Sequence, residues 1–110
     1  MSQSDILQKE FAKDFRRGLL KLFILKMLAR KDMHGYAMMA RIEELSGWKP
    51  SPGSMYPMLM ALKTGGLITC NIVDMKKVYS ITKKGTQAVG QLDQGFETGL
   101  NDIRDIFNNL

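Results

Sequence analysis

The side chains able to do covalent chemistry are few and isolated. His34 is the lone histidine and Cys70 the lone cysteine, and no carboxylate, thiol or second imidazole stands at a spacing that would complete a metal site with either. No carboxylate pair or nucleophile with a base can be picked out. The glycine-containing runs KTGG (63–66) and GQLDQG (90–95) lack the strand–loop–helix setting of a phosphate loop. Enzymatic activity, a metal and a cofactor are therefore not expected. His34 is expected to cap a helix or to pack beside Tyr36. Cys70 is expected to be a buried strand residue in a reducing cytoplasm.

The residue types do offer non-covalent recognition of an anion. Two runs with helical apolar spacing, residues 36–45 and 55–62, are separated by a polar corner, SGWKPSPG. At its far side stand Ser51, Gly53, Ser54 and Tyr56, whose hydroxyls and exposed backbone suit phosphate oxygens or base edges. Both serines could instead be simple helix caps and Tyr56 a packing residue. Lys49 and Lys63 flank this segment, Lys76 and Lys77 follow it, and Tyr36 opens the preceding run. Such lysines act as point charges that displace counterions from phosphates.

The charge distribution agrees. The chain of 110 residues is 45% hydrophobic and 25% charged, with a net charge of +5. That is one globular domain by length. Residues 15–84 carry 13 Lys and Arg against Asp32, Glu43, Glu44 and Asp74, whereas residues 85–110 set Arg104 against Asp93, Glu97, Asp102 and Asp105. A basic middle points to an anionic partner, and the acidic tail to another task. The first residues lack the basic-then-apolar pattern of an export signal, and no apolar run approaches membrane-spanning length. A cytoplasmic protein is expected, without a membrane partner.

The elements that must position these residues follow from periodicity. Apolar residues at helical spacing predict one long helix over residues 5–29, with Gly18 the place where it could bend. A second helix is expected over 35–45, with Leu45 on its buried side and Gly47 in a left-handed cap. A third opens at Ser51-Pro52 or at Ser54. Pro57 favours the later start, because a helix from Pro52 leaves the Gly53 carbonyl without its N–H donor. The period then shifts to two over residues 67–73 and 77–81, predicting a hairpin with residues 74–76 at its tip. Thr82 caps a last helix, in which Val89, Leu92, Phe96, Leu100, Ile103, Phe107 and Leu110 recur at steps of three and four, a narrow coiled-coil-like seam. Gly90, Gly95 and Gly99 weaken that helix by about 1 kcal/mol each relative to alanine, so the seam must rest on something.

Helix, helix, corner, helix, hairpin, helix is the order of a winged helix-turn-helix. The fold class expected is mainly α with a small two-stranded β wing. The segments MHGYAMMARIEE, SPGSMYPMLMALKTGGLI and KKVYSITKKG resemble the PadR family of bacterial and archaeal transcriptional regulators over about residues 17–90. The wing tip is short, and Val78 stands where an aromatic residue is common. The short final helix is similar to the smaller PadR-like subfamily, in which one C-terminal helix mediates dimerisation.

The resemblance implies a repressor that binds double-stranded DNA as a homodimer over a pseudo-palindromic operator. Residues 1–16 would be a helical extension for dimer packing, 17–83 the DNA-binding domain and 84–110 the dimerisation helix. Leu7, Phe11, Phe15, Leu92, Phe96, Leu100, Ile103, Phe107 and Leu110 are the expected dimer residues. It also implies a planar effector near the interface, with Phe11, Phe15, Phe96 and Phe107 as candidates; the other reading makes these four simply dimer core. Trp48 and the nine methionines add adaptable apolar surface suited to a small hydrophobic ligand. Met58 and Met60 are apolar where a guanine reader would carry Arg or Lys, so specificity leans on thymine methyls and on DNA shape. A competing expectation is a winged-helix interaction module that docks an acidic protein on the same basic face.

Overall fold

The computed structural model describes residues 2–110, with side chains described outside residues 3–7. The elements are α1 (Gln3–Gly18), α2 (Leu20–Arg30), β1 (Met33–His34), α3 (Gly35–Ser46), α4 (Pro52–Thr64), β2 (Ile68–Val73), β3 (Lys76–Ile81) and α5 (Lys83–Asn109). α2 is central. Its Leu20, Ile24, Leu25 and Leu28 are buried against Met38, Met39 and Ile42 of α3 and Met55, Leu59 and Leu62 of α4, with Ile68, Tyr79 and Val89 closing the core.

The expected long first helix is two helices. The chain breaks at Leu19, whose φ of −97° and ψ of 5° leave the helical region. Its N–H still reaches Phe15 and Arg16 carbonyls, so the break is a bend one residue beyond Gly18. It directs α2 into the core while α1 leaves it.

The sheet has three strands, in the order β1-β3-β2, rather than the two expected. β2 and β3 pair antiparallel from Ile68↔Ile81 to Val73↔Lys76. Their turn has only two residues, Asp74 and Met75, with φ of 51° and 66°. Two successive positive φ values match the right-handed twist of a hairpin, and they draw Lys76 into the strand. The added strand pairs Met33 with Tyr79 and His34 with Val78.

Local signals set the helix ends. Gly47 closes α3 at φ 75°, where a side chain would be strained. Leu45, expected inside, is 71% exposed. The inward position on that turn belongs to Ser46, whose hydroxyl donates to the Ile42 carbonyl and accepts from the Trp48 N–H.

α4 starts at Pro52 with Ser51 as its cap, the earlier of the two registers. Pro57 therefore lies inside the helix and has no N–H to offer the Gly53 carbonyl; Gly53 is exposed, so water can serve that oxygen.

Thr82 caps α5, accepting from the Gly85 N–H at 3.1 Å and donating to the Gly66 carbonyl at 2.7 Å. The fit there is tight: a Cβ on Gly85 would lie 2.1 Å from the Leu67 carbonyl oxygen and 2.6 Å from Ile81. Beyond this joint, α5 is tied to α2 by the Lys26–Asp93 ion pair. From Asn101 onward every residue of α5 is exposed.

Candidate nucleic-acid interface

The corner between α3 and α4 brings most of the expected recognition residues to one side of the molecule. Ser51 holds the start of α4 in an extended conformation, φ −74° and ψ 157°, and its hydroxyl oxygen accepts from the Ser54 N–H at 3.1 Å. The same hydroxyl donates to Ser54 Oγ at 3.2 Å. Ser51 is thus the cap and Ser54 the residue it holds, yet Ser51 and Gly53 remain exposed and Ser54 half-buried. A cap that is also exposed leaves the positive end of the helix dipole open to solvent.

Tyr56, one turn into α4, leans back over the start of α3. A Cβ on the buried Gly35 would come within 3.1 Å of its hydroxyl oxygen. Tyr36 stands next to it on α3, 65% exposed rather than part of that helix's buried stripe. The Lys49 ammonium sits 4.6 Å from the Tyr36 ring centroid, a cation–π contact that fixes a positive charge beside the corner. Spacing alone gave no hint of it, because residues 36 and 49 meet only once the corner folds.

A cleft of about 430 Å³ separates this corner from the wing, lined by His34, Gly35, Tyr36, Ala37, Tyr56, Lys76, Lys77 and Tyr79. Two of the expected lysines and two of the expected tyrosines therefore share one concavity. The start of α3 in its wall has neither a side-chain cap nor an acidic residue in its first turn. Backbone N–H groups, phenol hydroxyls and ammonium groups converge there, a set suited to oxyanions. Among the described residues, Lys49, Lys63, Lys76 and Lys77 take part in none of the ion pairs. Lys63 stands apart from the group, in the last turn of α4, about 18 Å along the helix from Ser51.

Two further residues, His34 and Tyr79, line the cleft without belonging to the expected recognition set. His34 occupies the N-cap position of α3 but makes no cap bond; its Nδ1–H donates instead to the Lys77 carbonyl at 3.0 Å. Tyr79 is buried, and burial first, then the neighbouring Cys70 and Tyr56, pushes its phenol above 10.0. Cys70, expected buried, is half-buried. Lys77, Tyr79 and Ile81 alternate onto one face of β3, a signal that could have placed Tyr79 beside Lys77.

The residues expected at a dimer contact cluster elsewhere. Phe11 and Phe15 of α1 and Ile103 and Phe107 of α5 line a cleft of about 600 Å³ together with Asp14, Gly18 and Leu19. A neighbouring groove of about 430 Å³ runs along Leu92, Phe96, Leu100 and Ile103 against Leu22 and Leu25. Leu92 packs on the core, whereas Phe11, Phe15, Phe96, Ile103, Phe107 and Leu110 are exposed. The side chain of Leu7 lies outside the described residues.

Residues 24–91 match the family model for the transcriptional regulator PadR-like family. The chain belongs to this family. PadR-like proteins are transcriptional regulators and not enzymes. The chain is 41% identical over 76 residues to transcriptional regulator YqjI of Escherichia coli, covering 66% of this chain and 37% of YqjI; it thus spans little over a third of that relative. It is 34% identical over 83 residues to transcriptional regulator Rv3488 of Mycobacterium tuberculosis, covering 70% of this chain and 75% of the other.

Among solved structures, Bacillus subtilis PadR in complex with operator DNA matches with a TM-score of 0.61 and 29% identity, over 66% of this chain and 45% of that one. A PadR family transcriptional regulator from Eggerthella lenta shares the fold over 97% of this chain and 94% of its own, at a TM-score of 0.76 and 19% identity. No helix among the described residues is long and apolar enough to cross a membrane.

Proposed function

We propose that this PadR-like chain is a sequence-specific DNA-binding repressor, acting in the cytoplasm as a homodimer on a pseudo-palindromic operator. The observation that carries the reading is the corner itself, an exposed and capped start of α4 set among Lys49, Lys76 and Lys77, which have no ion-pair partners among the described residues. The Bacillus subtilis PadR that resembles it was solved on operator DNA, which supports the choice of polyanion.

In this reading residues 17–83 are the DNA-binding unit. α4 enters the major groove, with Ser51, Gly53, Ser54 and Tyr56 at the point of entry. Tyr36 and Lys49 hold the phosphates beside it, Lys76 and Lys77 hold those under the wing, and Lys63 meets the backbone further along. Residues 1–16 and 84–110 form the dimer contact through Leu7, Phe11, Phe15, Leu92, Phe96, Leu100, Ile103, Phe107 and Leu110. A twofold between two such chains sets the recognition helices about 34 Å apart, one turn of DNA. A small planar or hydrophobic effector filling the cleft between α1 and α5 changes that separation and releases the operator.

The test is fluorescence anisotropy with labelled duplex DNA over a range of salt. The logarithm of affinity falls linearly with the logarithm of salt concentration, and Lys76→Ala with Lys77→Ala flattens the slope by about one unit per lost contact. A salt-independent affinity, or a preference for an acidic protein over duplex in the same assay, rejects the reading.

A further inference from the structure

α4 carries an unusual inventory for a helix that would read DNA. In Pro52–Thr64, PGSMYPMLMALKT, there is no Arg, Asn, Gln, Asp or Glu, and the single charge is Lys63 in the last turn. Apart from Lys63, which stands in the last turn away from the corner, the side chains that form bidentate pairs with guanine or adenine are therefore missing from the helix. Its inner face, Met55, Leu59 and Leu62, is buried in the core, and the half-buried Met58 packs there too. The outer face, at steps of three and four, is Gly53, Tyr56, Pro57, Met60, Ala61 and Thr64, all exposed. Met60 alone is 63% exposed.

Pro57, Met60 and Ala61 thus form a solvent-facing apolar strip available to a partner. Lysines that join no ion pair among the described residues flank it at the corner and on the wing, so a surface complementary to both is anionic at its edges and apolar in its middle. The major groove has that character where thymine methyl groups line its floor between two phosphate ridges.

We propose that α4 selects its sites by the C5-methyl groups of thymine, with Met60 as the principal contact and Pro57 and Ala61 beside it. The proposal rests on the DNA-binding reading above and adds what is read there. Met60 is the specificity residue, and Met58 takes no part because it faces inward. DNA shape is the rival source of specificity, and the two separate experimentally because uracil differs from thymine by the methyl alone.

Duplexes enriched from random-sequence DNA by the full chain are resynthesised with deoxyuridine in place of thymidine, one position at a time within each half-site. Burial of one methyl corresponds to about a fourfold change in affinity. Loss of one methyl in each half-site thus weakens binding about fifteenfold where the effects add. In the Met60→Ala variant the thymine-to-uracil penalty at the contacted position shrinks to less than fivefold, and the thermal midpoint holds because Met60 is exposed.

Equal binding of the thymine and uracil duplexes, with sequence selection retained, overturns methyl readout while leaving DNA binding intact. A uracil penalty that Met60→Ala does not reduce overturns it as well, since the effect then lies in the duplex. Absence of any binding to duplex DNA overturns both this proposal and the function on which it rests.

Discussion

The α3–α4 corner and the far face of α1 and α5 both expose large side chains, but they are finished to different degrees. At the corner several side chains that shape the backbone have partners within the chain: Ser51 with Ser54, Ser46 with Ile42 and Trp48, His34 with Lys77. On the far face Phe11, Phe15, Ile103 and Phe107 line an open apolar cleft, and Phe107 is 75% exposed. One surface is preorganised by hydrogen bonds and charged, so its partner needs only to arrive. The other gains its stability only when apolar area is removed from water. A single chain can complete the first without help, and not the second.

The sharpest way to break this comparison is at the joint between the two regions. Gly85→Ala forces a methyl into the Leu67 carbonyl and Ile81. Because one obstacle is backbone, relief requires α5 to shift, and we expect a loss of about 3 kcal/mol in urea unfolding. A stability within 0.5 kcal/mol of the parent, on the scale of a surface change, would show that the joint is not rigid.

Next in size is Phe107→Glu on the far face. It leaves the corner untouched, gives a monomer by light scattering, and lowers affinity for a two-half-site duplex about a hundredfold, equivalent to about 2.7 kcal/mol. A variant that stays dimeric would move the interface off α5.

Ser51→Ala is a smaller change, costing about 1 kcal/mol through the lost cap. It fits the comparison only if dimerisation is unaffected while DNA affinity falls along with stability.

The smallest effect is confined to alkaline solution. The Tyr79 phenol titrates above 10.0 in the folded chain, so the folded state binds the proton more tightly than the unfolded one. The corresponding stability is present below the unfolded value and is lost as pH rises through the folded value. Tyr79→Phe should flatten the fall of the thermal midpoint above pH 10 relative to the parent; identical alkaline slopes would remove the desolvated phenol as its cause.

Elements with local signals were legible in the sequence. Gly47 and Ser51 mark the two sides of the corner, Thr82 marks the start of α5, and the change from helical to alternating spacing marks the hairpin. What remained hidden is non-local or lacks a residue signature. β1 has two residues, too few for a period, and exists only through pairing with β3 some 45 positions away. The break at Leu19 was only approximately legible: Gly18, one residue earlier, marked where the helix could bend, but leucine itself has good helix propensity and does not signal a full break. Pro57 misled for an instructive reason. The missing N–H was weighed as a cost to the helix, but the carbonyl it leaves without a donor belongs to Gly53, which is exposed and so open to solvent. The candidate recognition residues were chosen largely by type; Tyr79 lay within reach of the alternation along β3, whereas the Lys49–Tyr36 contact emerges only from tertiary geometry.

The short strand before α3 has a mechanical consequence. Its pairing with β3, together with the His34–Lys77 bond, fastens the root of the wing to the first turn of a neighbouring helix. Any pull on the hairpin is therefore transmitted to the helix that sets the other wall of the cleft. The two walls of the cleft are parts of one frame, so a ligand held between them would cost little ordering of either.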